Sequence, residues 1–283
     1  MSNTFLANMQ SRIQTAQEMK DEEKLYRHNG VLYPSIMCPE EHLQALANIQ
    51  GREDDIMLVA YPKCGHMVTK GNQLNPCPSP SLSPQLVEQA PSPRFLGTHM
   101  HPDNIPQSFY QNKTKMLVIF RNPKDTLVSY YHFCNNNPVL PSMKSWESFF
   151  TDFLSGDVPW GSYFDHALAW EKKMDDPSVM VVTYEELKQN LSQGVRQISK
   201  FFGFSLTEAQ VQEVANGSTF SAMKESSTHS HGNMGNVIFR KGEVGDWKNH
   251  FTPQQNKEMD EAFNKHLKGT RLGAKLNYQD HCQ

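Results

Sequence analysis

Three short stretches carry residues whose types and spacing suit one kind of chemistry, the holding of an oxyanion. Tyr61-Pro62-Lys63-Cys64-Gly65 follows a run of apolar residues, so backbone N–H groups and the Lys63 cation can surround an anion where a strand gives way to a loop. Phe120-Arg121-Asn122-Pro123-Lys124-Asp125-Thr126-Leu127-Val128-Ser129 puts an arginine at a strand end and a serine on the second turn of the next helix. The guanidinium fork matches phosphate, and the hydroxyl adds a neutral donor. Arg240-Lys241-Gly242-Glu243-Val244-Gly245-Asp246-Trp247-Lys248 is a second basic cluster, in a glycine-containing loop able to close over an anion. Each stretch also has a plain alternative: a solvated lysine at a turn, an Arg121–Asp125 ion pair, an exposed basic run. The GxxxxGK[ST] phosphate loop of nucleoside-triphosphate hydrolases is absent, which leaves a kinase of that type without its motif.

These residues need elements to position them. Residues 55–61, 94–98, 115–120 and 178–183 are short apolar, β-branched runs that read as buried strands. Between them, 123–134, 145–154, 162–174, 191–202 and 207–215 read as helices, and 252–268 as a late amphipathic helix with Thr252 as N-cap and Pro253 at its first position. Strands alternating with helices predict an α/β fold, one domain with a mostly parallel central sheet flanked by helices. Residues 1–30 read as an N-terminal arm and 31–283 as the domain. Two stretches read as irregular. One is 71–93, with Pro76, Pro78, Pro80, Pro84, Pro91 and Pro93, which excludes a regular helix or inner strand; the other is 226–236, rich in Ser, His, Asn and Gly.

Bulk properties narrow the function. A formal charge of -3 over 283 residues gives no global basic field for nucleic acid or an anionic membrane, so any phosphate site is local. Five cysteines without a CxxC pair argue against a disulfide framework or a zinc ribbon and for reduced thiols in the cytoplasm. No segment reads as a signal peptide or a membrane span, and no metal-ligand cluster is visible.

The sequences YPKCG, RNPKDTLVSYYHF, VTYEELKQN and FRKGEVGDWKN, in that order, resemble the cytosolic sulfotransferase family, most closely its sixth family, subfamily B. The resemblance implies a strand-loop-helix that binds 3′-phosphoadenosine 5′-phosphosulfate (PAPS), with sulfuryl transfer to a phenol, alcohol or amine of small size. It implies that Lys63, with Cys64 and Gly65, contacts the 5′-phosphosulfate; that Arg121, Ser129, Arg240, Lys241 and Gly242 contact the 3′-phosphate; and that Tyr184, Ser218 and Phe220 contact the rest of the nucleotide. The catalytic pair is Lys63 and His99. His99, in Thr98-His99-Met100-His101, matches the family's base, whose neutral imidazole takes the acceptor's proton. On spacing alone His101 would point the same way.

The chain departs from the family pattern after Gly65. His66, Met67 and Val68 stand where the family has hydroxyl residues and a tryptophan, which implies fewer donors at the sulfate end and a lost stacking surface. The 71–93 stretch replaces the family's helix at this point. A catalytically impaired nucleotide-binding homologue is therefore the second reading. The family's dimer segment falls at Lys248 and Thr252, with Pro253 and Lys257 in place of its valine and glutamate, so the dimer motif is degraded while a homodimer stays open.

Overall fold

The computed structural model describes residues 2–65, 84–143, 145–231 and 234–283. The departures at His66, Met67 and Val68 lie outside them. Four strands, β3 (Ile56–Ala60), β4 (Phe95–Thr98), β5 (Lys115–Phe120) and β6 (Val179–Thr183), form one sheet in the order β4-β3-β5-β6. Every pairing in it is parallel. Both faces of a parallel sheet are covered by helices, which is why its strands read as unbroken apolar runs and not as alternation. β5 shows this, being buried from Met116 to Phe120.

Parallel pairing sends every strand's carboxyl end to the same edge. Ala60 stands opposite Ile119, Val59 opposite Thr98, and Phe120 opposite Thr183. The residues just past these ends, Lys63, His99, Arg121 and Tyr184, therefore gather along one rim, the usual ligand edge of open α/β sheets. At the opposite rim Arg94 and Asp55 form a buried two-bond ion pair, with Nε and Nη2 donating to the two carboxylate oxygens.

The helix Pro123–Asn136, hereafter the site helix, starts on β5's exit. Asn122 caps it by accepting from the Asp125 N–H, and Pro123 takes the first position, where a missing N–H costs nothing. Further helices expected at 145–154, 162–174, 191–202, 207–215 and 252–268 are present as Trp146–Ser155, Tyr163–Glu171, Leu191–Phe202, Glu208–Gly217 and Pro253–His266.

Three expectations are corrected. Of the 71–93 stretch, 71–83 lies outside the described residues, and in the remainder Pro84–Gln89 is helical, with proline at its first position. Within the 226–236 stretch, residues 226–231 end the helix Phe220–His231 and 234–236 begin the helix Met234–Ile238, while 232–233 lie outside the described residues. The Ser226 and Ser227 hydroxyls donate to the carbonyls of Met223 and Lys224, and burial of Met223 and Ser227 supplies the packing that composition hid. Finally, the arm is not separate. A helix Ser2–Glu18 leads to β1 (Leu25–His28), which pairs antiparallel with β2 (Val31–Pro34) across Asn29-Gly30. Both turn residues have positive φ, 51° and 82°, as a two-residue hairpin turn requires, so the division at residue 30 falls inside a hairpin.

Candidate active site

Lys63 leaves β3 in the left-handed region, φ 70°, which turns its side chain back across the rim. Its Nζ donates to the Ile238 carbonyl at 3.1 Å and lies 4.5 Å from the centre of the Phe133 ring. Burial, with the neighbouring positive charges of Arg121 and Arg240, lowers its pKa to about 7. A cation so destabilised gains from any anion that joins it.

Arg121 leaves β5 almost fully buried. Its Nη2 donates to the Glu243 carbonyl at 2.7 Å, and the guanidinium stacks 4.5 Å from the Tyr184 ring centre. The alternative Arg121–Asp125 ion pair is only a 4.0 Å approach. Asp125 is otherwise engaged, accepting from the Gly245 N–H at 2.7 Å, the Trp247 N–H at 3.1 Å and Asn122 Nδ2. This carboxylate thus ties the 240–247 loop to the site helix.

In that loop Arg240 Nη2 donates to Asp246 Oδ2 and Lys241 Nζ to Asp246 Oδ1. Burial would raise the Asp246 pKa, but hydrogen bonds from Lys241, Arg240 and Asn249 outweigh it and hold the carboxyl well below the ordinary range. Gly242 has φ 69°, and a Cβ there would lie 2.1 Å from Phe220 Cδ2, so the loop backbone passes directly against the Phe220 ring. Phe220 in turn meets Phe239 edge to face. Ser218 ends the helix Glu208–Gly217 two residues before Phe220. Ser129 is buried on the site helix, four residues before Phe133, and residues spaced by four share a helix face. Ser129 therefore shares the face that meets Lys63.

Arg121 Nε and Arg240 Nε are buried N–H donors without a hydrogen-bond partner among the described residues. A buried donor left unsatisfied is costly, and two such guanidinium donors beside a depressed lysine fit a polyanion of phosphate type.

His99 follows β4. Its Nδ1 lies 2.7 Å from the carbonyl oxygen of Ala60, the last residue of β3. A carbonyl only accepts, so Nδ1 carries the proton and Nε2 presents its lone pair. Burial, aided by the Lys63 charge, lowers the pKa to about 4 against the carbonyl's opposing pull, and the Trp160 ring packs edge-on at 5.3 Å. His101 is occupied differently, its Nδ1 accepting from the Asp103 N–H as cap of the turn Pro102–Asn104. The two histidines therefore differ in the partner of Nδ1, a backbone carbonyl for His99 and a backbone N–H for His101.

Cys64 does not join the anion-facing set. Its side chain is fully buried with Sγ 3.6 Å from Thr126 Oγ1, its N–H is donated to the Tyr61 carbonyl, and burial pushes the thiol up to about 12. Gly65 follows at φ 110°. Asp125 was read only as an ion-pair partner of Arg121, and two carboxylates escaped the sequence reading: Asp246 and Glu185, whose Oε1 accepts from the Asn122 N–H and Nδ2 and so fastens β6's exit to β5's. The signal for Asp125 was its place three residues after a capping Asn; for Glu185 there was none, since its partner is distant in the chain.

Fold and site together define an α/β protein with a cluster of buried and half-buried cations and an adjacent neutral imidazole at the carboxyl edge of a parallel sheet. The chain belongs to the sulfotransferase family: the sulfotransferase domain model matches residues 72–271, a span that holds His99, Arg121, Ser129, Tyr184, Ser218, Phe220 and Arg240–Gly242. It is 55% identical to sulfotransferase 6B1 of Danio rerio over 98% of this chain and 100% of that protein, and 44% identical to sulfotransferase 6B1 of Homo sapiens over 99% and 98%. Among solved structures, mouse sulfotransferase SULT7A1 complexed with PAP, 33% identical, superposes with a TM-score of 0.81 over 90% of this chain and 99% of that one. Retinol dehydratase, in complex with androsterone and inactive cofactor PAP, shares the fold with a TM-score of 0.75 at 18% identity, over 92% and 94%.

Proposed function

We propose that this chain transfers a sulfuryl group from PAPS to a hydroxyl or amine of a small acceptor, leaving 3′,5′-bisphosphoadenosine (PAP). The observation that carries this reading is the meeting of Lys63, Arg121 and Arg240, two of them with unsatisfied buried donors, beside an imidazole whose Nε2 is unprotonated. Bound PAPS supplies an activated sulfuryl group. In this reading Arg121, Ser129, Arg240, Lys241 and the Gly242 backbone hold the 3′-phosphate, while Tyr184, Ser218 and Phe220 hold the rest of the nucleotide. Gly65 lies with Lys63 at the phosphosulfate.

His99 Nε2 takes the proton from the acceptor as the acceptor's oxygen or nitrogen bonds to sulfur. The sulfur–oxygen bond to the nucleotide's phosphate breaks with its electron pair, and Lys63 offsets the charge gathering on the departing oxygen. Positioning and electrostatics carry most of such a step. A cytoplasmic location belongs to the same reading, supported by four buried free thiols at Cys38, Cys64, Cys134 and Cys282. None of the described helices is long and apolar enough to cross a membrane.

The test is incubation with sulfur-labelled PAPS and a panel of phenols, alcohols and amines, with PAP binding measured in parallel. Transfer to one acceptor class supports the reading. PAP binding without transfer to any acceptor would identify an impaired homologue, and neither binding nor transfer would overturn the proposal.

A further inference from the structure

Lys124 sits one residue before Asp125 on the site helix and plays no part in the cradle described above. It is fully buried. Its Nζ donates to Asn256 Oδ1 and, at 2.6 Å, to the Cys282 carbonyl, and it pairs with Asp260 Oδ1 at 2.6 Å. The same ammonium lies 4.3 Å from the centre of one Trp247 ring face and 5.2 Å from that of Tyr278.

Trp247 is consequently gripped from three directions. Its N–H goes to Asp125, its Nε1–H donates to the His281 carbonyl at 2.9 Å, and its ring meets Lys124. Trp247 closes the loop that carries Arg240, Lys241 and Gly242, and the Gly245 N–H in the same loop is also held by Asp125. A buried ammonium is tolerated only with several well-placed acceptors, and the acceptors here come from the helix Pro253–His266 and the turn Tyr278–Cys282. Those segments are far from Lys124 in sequence, so the lysine joins three separate parts of the chain at the back of one loop.

We propose that Lys124 and the turn Tyr278–Cys282 form a clamp that fixes the 240–247 loop and so sets affinity for the nucleotide's 3′-phosphate, with Lys124 as a positioning residue. The proposal rests on the nucleotide reading above. Lys124→Met keeps the buried stem and removes the ammonium; Trp247→Phe keeps a ring face for Lys124 and removes the bond to His281 together with part of the buried indole. The measurements are PAP affinity by calorimetry, kcat at saturating PAPS, the acceptor KM, and amide exchange in ligand-free protein.

The PAP dissociation constant is expected to rise about tenfold in Lys124→Met and about threefold in Trp247→Phe, on the scale of a lost charged or neutral hydrogen bond. In both, kcat stays within about twofold and the acceptor KM holds. Gly245 and Trp247 amides exchange faster, and β5 amides do not. Unchanged PAP affinity in folded variants overturns the clamp. So does a uniform rise in exchange across the sheet, which would mark Lys124 as general core support. If Lys124→Met does not fold, Trp247→Phe decides alone. Failure of the unaltered protein to bind PAP would sink the nucleotide reading, while the exchange comparison would still judge the loop's attachment.

Discussion

At the scale of single residues, the site separates a group that manages protons from groups that manage charge. His99 is neutral because burial and the Lys63 charge outweigh the pull of its carbonyl bond, so the acid limb of kcat/KM, which reports the free protein, should fall near pH 4, below the ordinary histidine value. His99→Asn is expected to lower kcat by roughly 10²- to 10⁴-fold while PAP affinity stays the same, as turnover and calorimetry would show. Lys63 behaves oppositely. With its pKa lowered to about 7 in the free protein, it is charged below that pH and neutral above, and a bound anion pulls the pKa back up. PAP affinity should therefore weaken as pH rises through 7, with proton uptake on binding visible in buffers of different ionisation heat. Lys63→Met should abolish that uptake. Lys63 and Arg121 could be singled out in the sequence because each stands just past an apolar strand run, whereas Ser129 and Arg240 drew notice through the motifs that contain them. Cys64 was not legible, since family contact is read from position and its burial against Thr126 emerges only on folding.

At the scale of elements, the four strands of the parallel sheet were read nearly to the residue, because a parallel strand buried on both faces leaves an uninterrupted apolar run, whereas the antiparallel hairpin of β1 and β2 was not read. The helix Phe220–His231 was missed since its stability comes from burial of Met223 and Ser227 and not from composition. The loop 240–247 depends on the site helix more than on itself. Asp125→Ala would strip partners from the Gly245 and Trp247 N–H groups at a cost of about 1–3 kcal/mol for each buried donor left bare, lowering Tm and PAP affinity together. Gly242→Ala makes a sharper prediction. A methyl 2.1 Å from Phe220, on a backbone with φ 69°, forces ring or loop aside, so PAP affinity should fall with a stability cost of about 1–2 kcal/mol from the backbone alone. Equilibrium unfolding and calorimetry on the same preparation separate the two effects.

At the scale of the molecule, the two rims of the sheet divide labour. The carboxyl rim gathers cations for a ligand; the amino rim is closed by the buried Arg94–Asp55 pair. Removing one partner of such a pair typically costs 3–5 kcal/mol, so Arg94→Ala should lower Tm sharply while leaving kcat of the folded fraction unchanged. Equilibrium unfolding checks the first part and active-site titration the second. Sequence reading saw Asp55 and Arg94 as the starts of two strands. Their pairing depended on β3 and β4 lying side by side, which strand patterns alone do not order.

The bond from His99 to the Ala60 carbonyl has a consequence for how the enzyme can drift. Where a side chain orients a catalytic imidazole, a single substitution can erase the orienting group. Here the acceptor is main chain, present whatever residue 60 becomes, and its location follows from β4 lying next to β3. The choice of which ring nitrogen holds hydrogen is thus written into strand adjacency, and is preserved by any mutational history that leaves those two neighbours paired.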